Sequence, residues 1–242
     1  TTSCKQEWPL EEEHIHCENN FFKWEIKGKE EKISFSCEKK REKYDSPESL
    51  VKEKKVSVEM LAYLWMLIED KRNIFITSDK NIFFALSFFL PAHITLKTNT
   101  EDFPLNQNTK TIIGDSLEKE DLAFILNWTA KNKEEICIAN TTETLPEMQT
   151  IICFVESGRI KSIKEYGKEL FSWQEGKFIF SLTESSYIAS KGNKIILLEE
   201  FKLRTKLLSI LFNNHLKEQD FKKVIAAYYE NSQLVLKKAG IQ

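Results

Sequence analysis

The sequence predicts an α/β fold, with a mainly parallel sheet covered by helices on both faces. Three observations predict it. Short apolar runs at 73–77, 93–97, 110–113, 135–139 and 149–155 have the length of buried strands. Runs with helical spacing stand before and between them at 57–68, 82–90 and 118–130. The two types alternate along the chain, which is the pattern of a parallel sheet with helices packed on it.

Taken in order, residues 1–55 are polar and charged and form an N-terminal segment with small half-exposed strands. The alternating stretches are Phe22-Lys-Trp-Glu-Ile26 and Lys32-Ile-Ser-Phe-Ser-Cys37. The charged run at 38–43 is a solvated face or loop. Ser46 followed by Pro47 has the form of a helix start, a capping hydroxyl and then proline at the first helical position. Ser57 can cap a stronger helix in which Met60, Leu61, Leu64, Trp65 and Ile68 recur on one face. Lys71 and Arg72 close it, as the helix dipole favours. The strand at 73–77 leads to an apolar helix at 82–90, stopped by Pro91. Phe83, Phe84, Phe88 and Phe89 make that helix apolar nearly all round, so it needs cover on every side or offers an open face to a partner. The helix at 118–130 carries Leu122, Ile125, Leu126 and Thr129 on one face. The segment 158–166 is expected to be the last sheet element, pairing as a hairpin with the strand before it. Short aromatic runs at 170–173 and 177–181 then precede helices at 194–212, 221–230 and 233–238. The predicted division is therefore 1–55, a core at 56–166, and a mostly helical region at 167–242, with no internal repeat.

Composition narrows the chemistry. There are seven glycines in 242 residues, under half the usual share of roughly 7%. No two are closer than nine residues, so neither a Walker A loop nor a dinucleotide fingerprint can be written with them. Basic and acidic side chains number 35 and 37, a balance that argues against nonspecific nucleic-acid binding. Cys4, Cys17, Cys37, Cys137 and Cys153 are odd in number and show no repeated spacing, which suits a reducing compartment. Cys4, His14, His16, Cys17 and Cys37 are the one cluster of soft ligands. Without a C-x₂-C knuckle they are read as a flexible or edge-strand segment, and no metal is expected. No apolar run approaches the 18 residues of a membrane span, and the first residues lack a basic start and an apolar segment. A cytoplasmic chain without membrane insertion is expected.

One stretch carries a family resemblance. Ser57-Val-Glu-Met-Leu-Ala-Tyr-Leu-Trp-Met-Leu-Ile-Glu-Asp-Lys-Arg-Asn-Ile-Phe-Ile76 resembles the helix and strand leading into the P-loop of archaeal secretion ATPases. These are the hexameric motors of type II secretion, type IV pili and the archaellum. Ala85-Leu86-Ser87 and Phe-Leu-Pro91 are similar to the family segment just after the P-loop. The tail matches at Phe171-Ser-Trp173, Leu203-Arg204, Leu207-Leu208, Val224-Ile225 and Tyr228-Tyr229-Glu230-Asn231. The resemblance covers about residues 20–242, with deletions, and implies a RecA-like core.

It also implies that the chemistry is gone. Seven residues, Ser-Asp-Lys-Asn-Ile-Phe-Phe, stand between Thr77 and Ala85, where the family has about twelve. Lys80 is a vestige of the P-loop lysine, without glycines and followed by Asn81. Thr98 and Asn99 fall where the family carries a glutamate and an aspartate, and neither can serve as a carboxylate base. Of the Walker B region, Gly114 and Asp115 survive, but Leu117 takes the arginine position and Glu118 a glycine. The family histidines fall at Lys131 and Ala139. The expected function is a catalytically inactive relative, a pseudo-ATPase without cofactor or metal, acting through protein contacts. The partners implied are an active homologous ATPase or the membrane platform protein such motors drive, with no nucleic acid. The alternative is an ATPase whose site is rebuilt around Lys80 and Asp115, and a third reading keeps the fold for an unrelated partner.

Overall fold

The computed structural model describes residues 14–18, 22–29, 32–39, 45–77, 79–90, 111–117, 136–141 and 150–241, with single positions 123, 143, 145 and 146. The chain divides into two compact units, Thr1–Lys43 and Tyr44–Gln242. The smaller unit is an antiparallel meander of β1 (His14–Glu18), β2 (Phe22–Lys29) and β3 (Lys32–Lys39). The two alternating stretches are β2 and β3, and the histidine-bearing segment is the edge strand β1. Register sets Cys17, Trp24 and Cys37 in one cross-strand row, while His14 and His16 occupy positions of the opposite parity to Cys17.

The larger unit opens on two capped helices. Ser46 Oγ accepts from the Ser49 N–H at 3.2 Å at the head of α1 (Pro47–Lys52). Ser57 Oγ accepts from the Met60 N–H at 3.1 Å at the head of α2 (Val58–Glu69). Both caps stand where the sequence puts them. The sequence shows one apolar face on α2, yet every residue from Met60 to Ile68 is buried. This helix is enclosed on all sides and packs on the long C-terminal helix as well as on the sheet side of the core.

The strand β4 (Ile74–Thr77) and the helix α3 (Lys80–Ser87) follow. Ile82, Phe83, Ala85, Leu86, Phe88 and Phe89 are buried, and Phe84 is partly so. The α3 segment therefore has its cover and leaves no open apolar face. Next come β5 (Thr111–Leu117), β6 (Ile136–Thr141), β7 (Ile151–Glu156), β8 (Arg159–Glu165), β9 (Lys168–Gln174) and β10 (Lys177–Phe180). The predicted strand at 93–97 and helix at 118–130 lie outside the described residues, apart from helical Ala123.

Seven strands form one sheet in the order β10-β9-β8-β7-β4-β6-β5. The expectation of a mainly parallel sheet is corrected here. Pairs β4–β6, β4–β7 and β5–β6 are parallel, whereas β7–β8, β8–β9 and β9–β10 are antiparallel. The β7–β8 hairpin is as predicted, but 158–166 is not the last sheet element. The aromatic runs after Gly167 are strands β9 and β10 of the same sheet.

The physical reason lies in the turns. Ser157-Gly158, Tyr166-Gly167 and Glu175-Gly176 each join two strands with both residues at positive φ, at 52° and 70°, 49° and 81°, and 48° and 79°. Two-residue turns of that kind match the twist of paired strands and place glycine second. Their glycines recur every nine residues. The spacing that excludes a phosphate cradle is thus also the period of a meander.

The chain ends in α4 (Ser186–Ser190), which the sequence does not predict, and in α5 (Lys194–Asn213), α6 (Glu218–Glu230) and α7 (Ser232–Lys238), close to the three predicted helices. Phe201, Leu207, Leu208, Leu211, Phe221, Ile225 and Tyr228 join them to the core. Among the described residues no helix is long and apolar enough to cross a membrane.

Candidate functional site

In an open α/β sheet, ligands bind beyond the carboxyl ends of parallel strands, where neighbouring connections diverge. Strand β4 defines that point. It is the first strand of this sheet in the chain, yet it lies inside it, with later strands β6 and β7 parallel on either side. At its carboxyl end stand Thr77, Asp79, Lys80, Asn140, Thr141 and the Gly158 turn.

Only Ser78 and Asp79 separate β4 from α3. A Walker A loop places six residues before its lysine, so there is no length here for a cradle. The short turn is closed by side chains. Asp79 Oδ1 accepts from the Ile82 N–H at 2.9 Å, and the Asp79 N–H donates to Asn140 Oδ1 at 3.1 Å. Asn140 is buried. Thr77 Oγ1 donates to the Cys153 carbonyl at 3.3 Å and accepts from the Val155 N–H at 2.8 Å, which ties β4 to β7. A Cβ at Gly158 would stand 3.6 Å from Asp79 Oδ2. The positive end of α3, where a phosphate would be held, is therefore occupied by the chain's own carboxylate.

The vestigial positions are not drawn together. Lys80 is exposed in the first turn of α3. Gly114 and Asp115 lie on β5, with β6 between that strand and β4. Two strand spacings place β5 roughly 10 Å from β4. Thr98 and Asn99 lie outside the described residues. The alternative site around Lys80 and Asp115 thus spans elements that do not pair.

Two buried polar arrangements lie away from this point, and neither is among the vestigial nucleotide positions. Glu165, at the end of β8, is fully buried. Its carboxyl oxygens accept from the Tyr63 hydroxyl at 3.2 Å, the Ser186 N–H at 2.9 Å and the Tyr187 N–H at 2.6 Å. It thereby fixes the start of α4 and links it to α2. Burial, reinforced by the Glu165 carboxyl, pushes the Tyr63 hydroxyl well above its ordinary range. A glutamate inside Lys-Ser-Ile-Lys-Glu-Tyr reads as surface; its inward parity next to buried Ile163 is the signal that could have found it.

The second arrangement is Arg204 on α5, which is buried and pairs with Glu69, with Glu200 at 3.9 Å. Its guanidinium lies 5.4 Å from the ring centroids of both Trp65 and Tyr228. It forms one wall of a cleft of about 730 Å³ together with Glu69, Asp70, Tyr187 and Tyr228. Lys191 and Arg72 both pair with Asp70 there, so the cations of the cleft are matched by its own carboxylates.

Neither arrangement presents an exposed nucleophile beside a base: the Tyr63 hydroxyl, 3.2 Å from Glu165, is sealed in the core. Cys153 is sealed, and burial pushes its thiol up to about 12, so it is not a thiolate nucleophile near neutrality. Among the described residues no group of three or more His, Cys, Asp and Glu is arranged to hold a metal ion. No protein-family model matches this chain, and no curated protein matches it in sequence.

Proposed function

We propose that the chain is a catalytically inactive relative of the secretion and pilus ATPases, with a RecA-like three-layer core. It works by protein contacts, as a regulator or scaffold of a type IV pilus or type II secretion-like machine. One observation carries the reading: the anion position after the central parallel strand is filled by Asp79, on a turn with no room for a phosphate loop. Helix α2, which carries the resemblance to the family, is at the same time buried in the core from Met60 to Ile68. That is the expected outcome when a scaffold is kept and its chemistry is lost. The partners in this reading are an active homologous ATPase or a membrane platform protein, the latter placing the chain at the membrane periphery through a partner.

The test is calorimetry with ATP and Mg²⁺ on the full chain, together with a phosphate-release assay. No heat of binding and no released phosphate are expected. Micromolar binding, or turnover abolished by Lys80→Ala, would overturn the reading in favour of a rebuilt site.

A further inference from the structure

The cleft of about 730 Å³ beside Arg204 has the size of a small-molecule site. One side chain in its wall is left unsatisfied. Tyr187, on α4, is only 5% exposed. Its ring meets Arg72 and Lys191 at 5.5 and 5.9 Å, yet its hydroxyl has no hydrogen-bond partner among the described residues. That hydroxyl is directed into the cleft, because the charges acting on it are those of Asp70, Arg204, Glu200 and Glu69, all of them cleft walls. Burial, with the carboxylates beside it, pushes it up to about 12. Near neutrality it is therefore a protonated hydroxyl that both donates and accepts.

The charges of the walls decide the sign of a ligand. Glu69 and Asp70 stand at the end of α2 and Glu230 at the end of α6, and neither helix has a basic residue in its last turn. Carboxylates there face the negative end of the helix dipole, which is unfavourable unless cations lie close. Helix α2 receives them from within the chain: Arg204 pairs with Glu69, and Arg72 and Lys191 pair with Asp70. Helix α6 does not. Glu230 is exposed and has no partner among the described residues. On α5, Glu200 reaches Arg204 Nη1 only at 3.9 Å. The cleft therefore keeps two carboxylates without a close cation, each on a different helix. Nothing comparable invites an anion. Arg204 Nε lacks a partner but is sealed from solvent, so an acceptor in the cleft does not reach it. The head of α7 is met by Asn231 Oδ1, which accepts from the Leu234 N–H at 3.0 Å. Met66, Leu203 and Leu236 supply apolar wall. Among the described residues no group of His, Cys, Asp and Glu is arranged to hold a metal ion, which leaves an organic cation. Carboxylates and an open hydroxyl answer ammonium groups, and the apolar side chains answer an alkyl stem.

We propose that this cleft binds a small linear diamine, its ammonium groups held by Glu200, Glu230 and the Tyr187 hydroxyl and its stem lying on Met66, Leu203 and Leu236. A site of this kind goes beyond the reading as an ATPase relative and stands whether or not that reading holds.

The experiment is isothermal titration calorimetry of the full chain with diaminobutane at low salt. Saturable binding is expected, weakened at least about tenfold by Glu230→Gln, as loss of a charge-assisted hydrogen bond requires. Glu230 is exposed, so this variant keeps the core intact. Glu200→Gln should act likewise, and Tyr187→Phe should weaken binding about threefold, as loss of a neutral hydrogen bond does. Glu218→Gln removes the same charge at the opposite end of α6 and should bind as the parent does. Butylamine, with one ammonium, should bind more weakly than the diamine, and succinate, with the charges reversed, should not bind. Absence of saturable heat, equal binding by Glu230→Gln, or equal weakening by Glu218→Gln would each overturn the proposal. Binding by trilysine peptide but not by diaminobutane would also overturn it, in favour of a docking site for a protein chain. None of these results would alter the outcome with ATP.

Discussion

At the scale of single residues, donors meet the buried carboxyl of Glu165 and the buried amide oxygen of Asn140, whereas Trp65 Nε1, Arg159 Nε and Arg204 Nε are buried without a hydrogen-bond partner among the described residues. Glu165 accepts three hydrogen bonds and Asn140 receives the Asp79 N–H, so each joins two elements. Cys153 has no such role and behaves as a small apolar side chain between β4 and β8. Its raised pKa gives a pH dependence with a definite sign. The folded state keeps the thiol proton up to about pH 12, while the unfolded chain loses it near 8.5. Stability is thus unaffected below the ordinary thiol pKa and falls as pH rises through the interval between the two values. The slope is about 1.4 kcal/mol per pH unit for the one group. Urea midpoints at pH 8 and pH 10 test this. Cys153→Ala should be less stable at pH 8, through its cavity, yet decline less between the two values. An equal decline in both proteins would show that other groups, such as Tyr187, whose hydroxyl burial pushes up to about 12, dominate the alkaline limb.

At the scale of elements, the hairpins decide how far the sheet extends. Gly176, between β9 and β10, has φ of +79°, and a Cβ added there would meet nothing within 4 Å. Gly176→Ala therefore tests conformation without a clash. It should lower stability by about 1 kcal/mol, with Gly176→Asn less harmful because asparagine tolerates the left-handed region. Denaturant titration checks both, and an alanine variant as stable as the parent would remove the turn from the determinants of the sheet.

The same hairpins show what a single sequence can reveal. The capped starts of α1 and α2 were legible because a hydroxyl before an apolar helical run has one common use. The β7–β8 hairpin was legible from an apolar strand followed by Ser-Gly. Strands β9 and β10 were not, since Leu-Phe-Ser-Trp and Phe-Ile-Phe carry no clean alternation, and their pairing is set by turns whose glycines were read for phosphate binding alone. At the candidate site the missing loop was visible by counting residues. The occupant of the vacated position was not, because an aspartate before an apolar run gives no sign that it faces the end of a central strand.

At the scale of the molecule, the boundary between the two units makes a prediction. All pairings of β1–β3 are made within Thr1–Lys43, and all those of the seven-stranded sheet lie between Ile74 and Phe180. Among the described residues a cut between Lys43 and Tyr44 crosses no strand ladder. The hydrophobic cluster among the described residues takes in Leu50, Val56, Met60–Ile68 of α2, the sheet centre and the C-terminal helices. Apolar burial of that extent is what stabilises a domain of this size, at roughly 25 cal/mol per Å², and all of these described core residues remain in the fragment. Tyr44–Gln242 expressed alone should therefore unfold cooperatively, with a urea midpoint equivalent to the full chain within about 0.5 kcal/mol. A three-stranded antiparallel sheet alone is close to the lower limit of independent stability, so Thr1–Lys43 should melt separately and at lower denaturant. Two transitions in the full chain, of which the fragment keeps the later one, are the expected result. A fragment that lacks near-ultraviolet circular dichroism, or unfolds without cooperativity, would mean that the N-terminal meander is required for the α/β unit to fold.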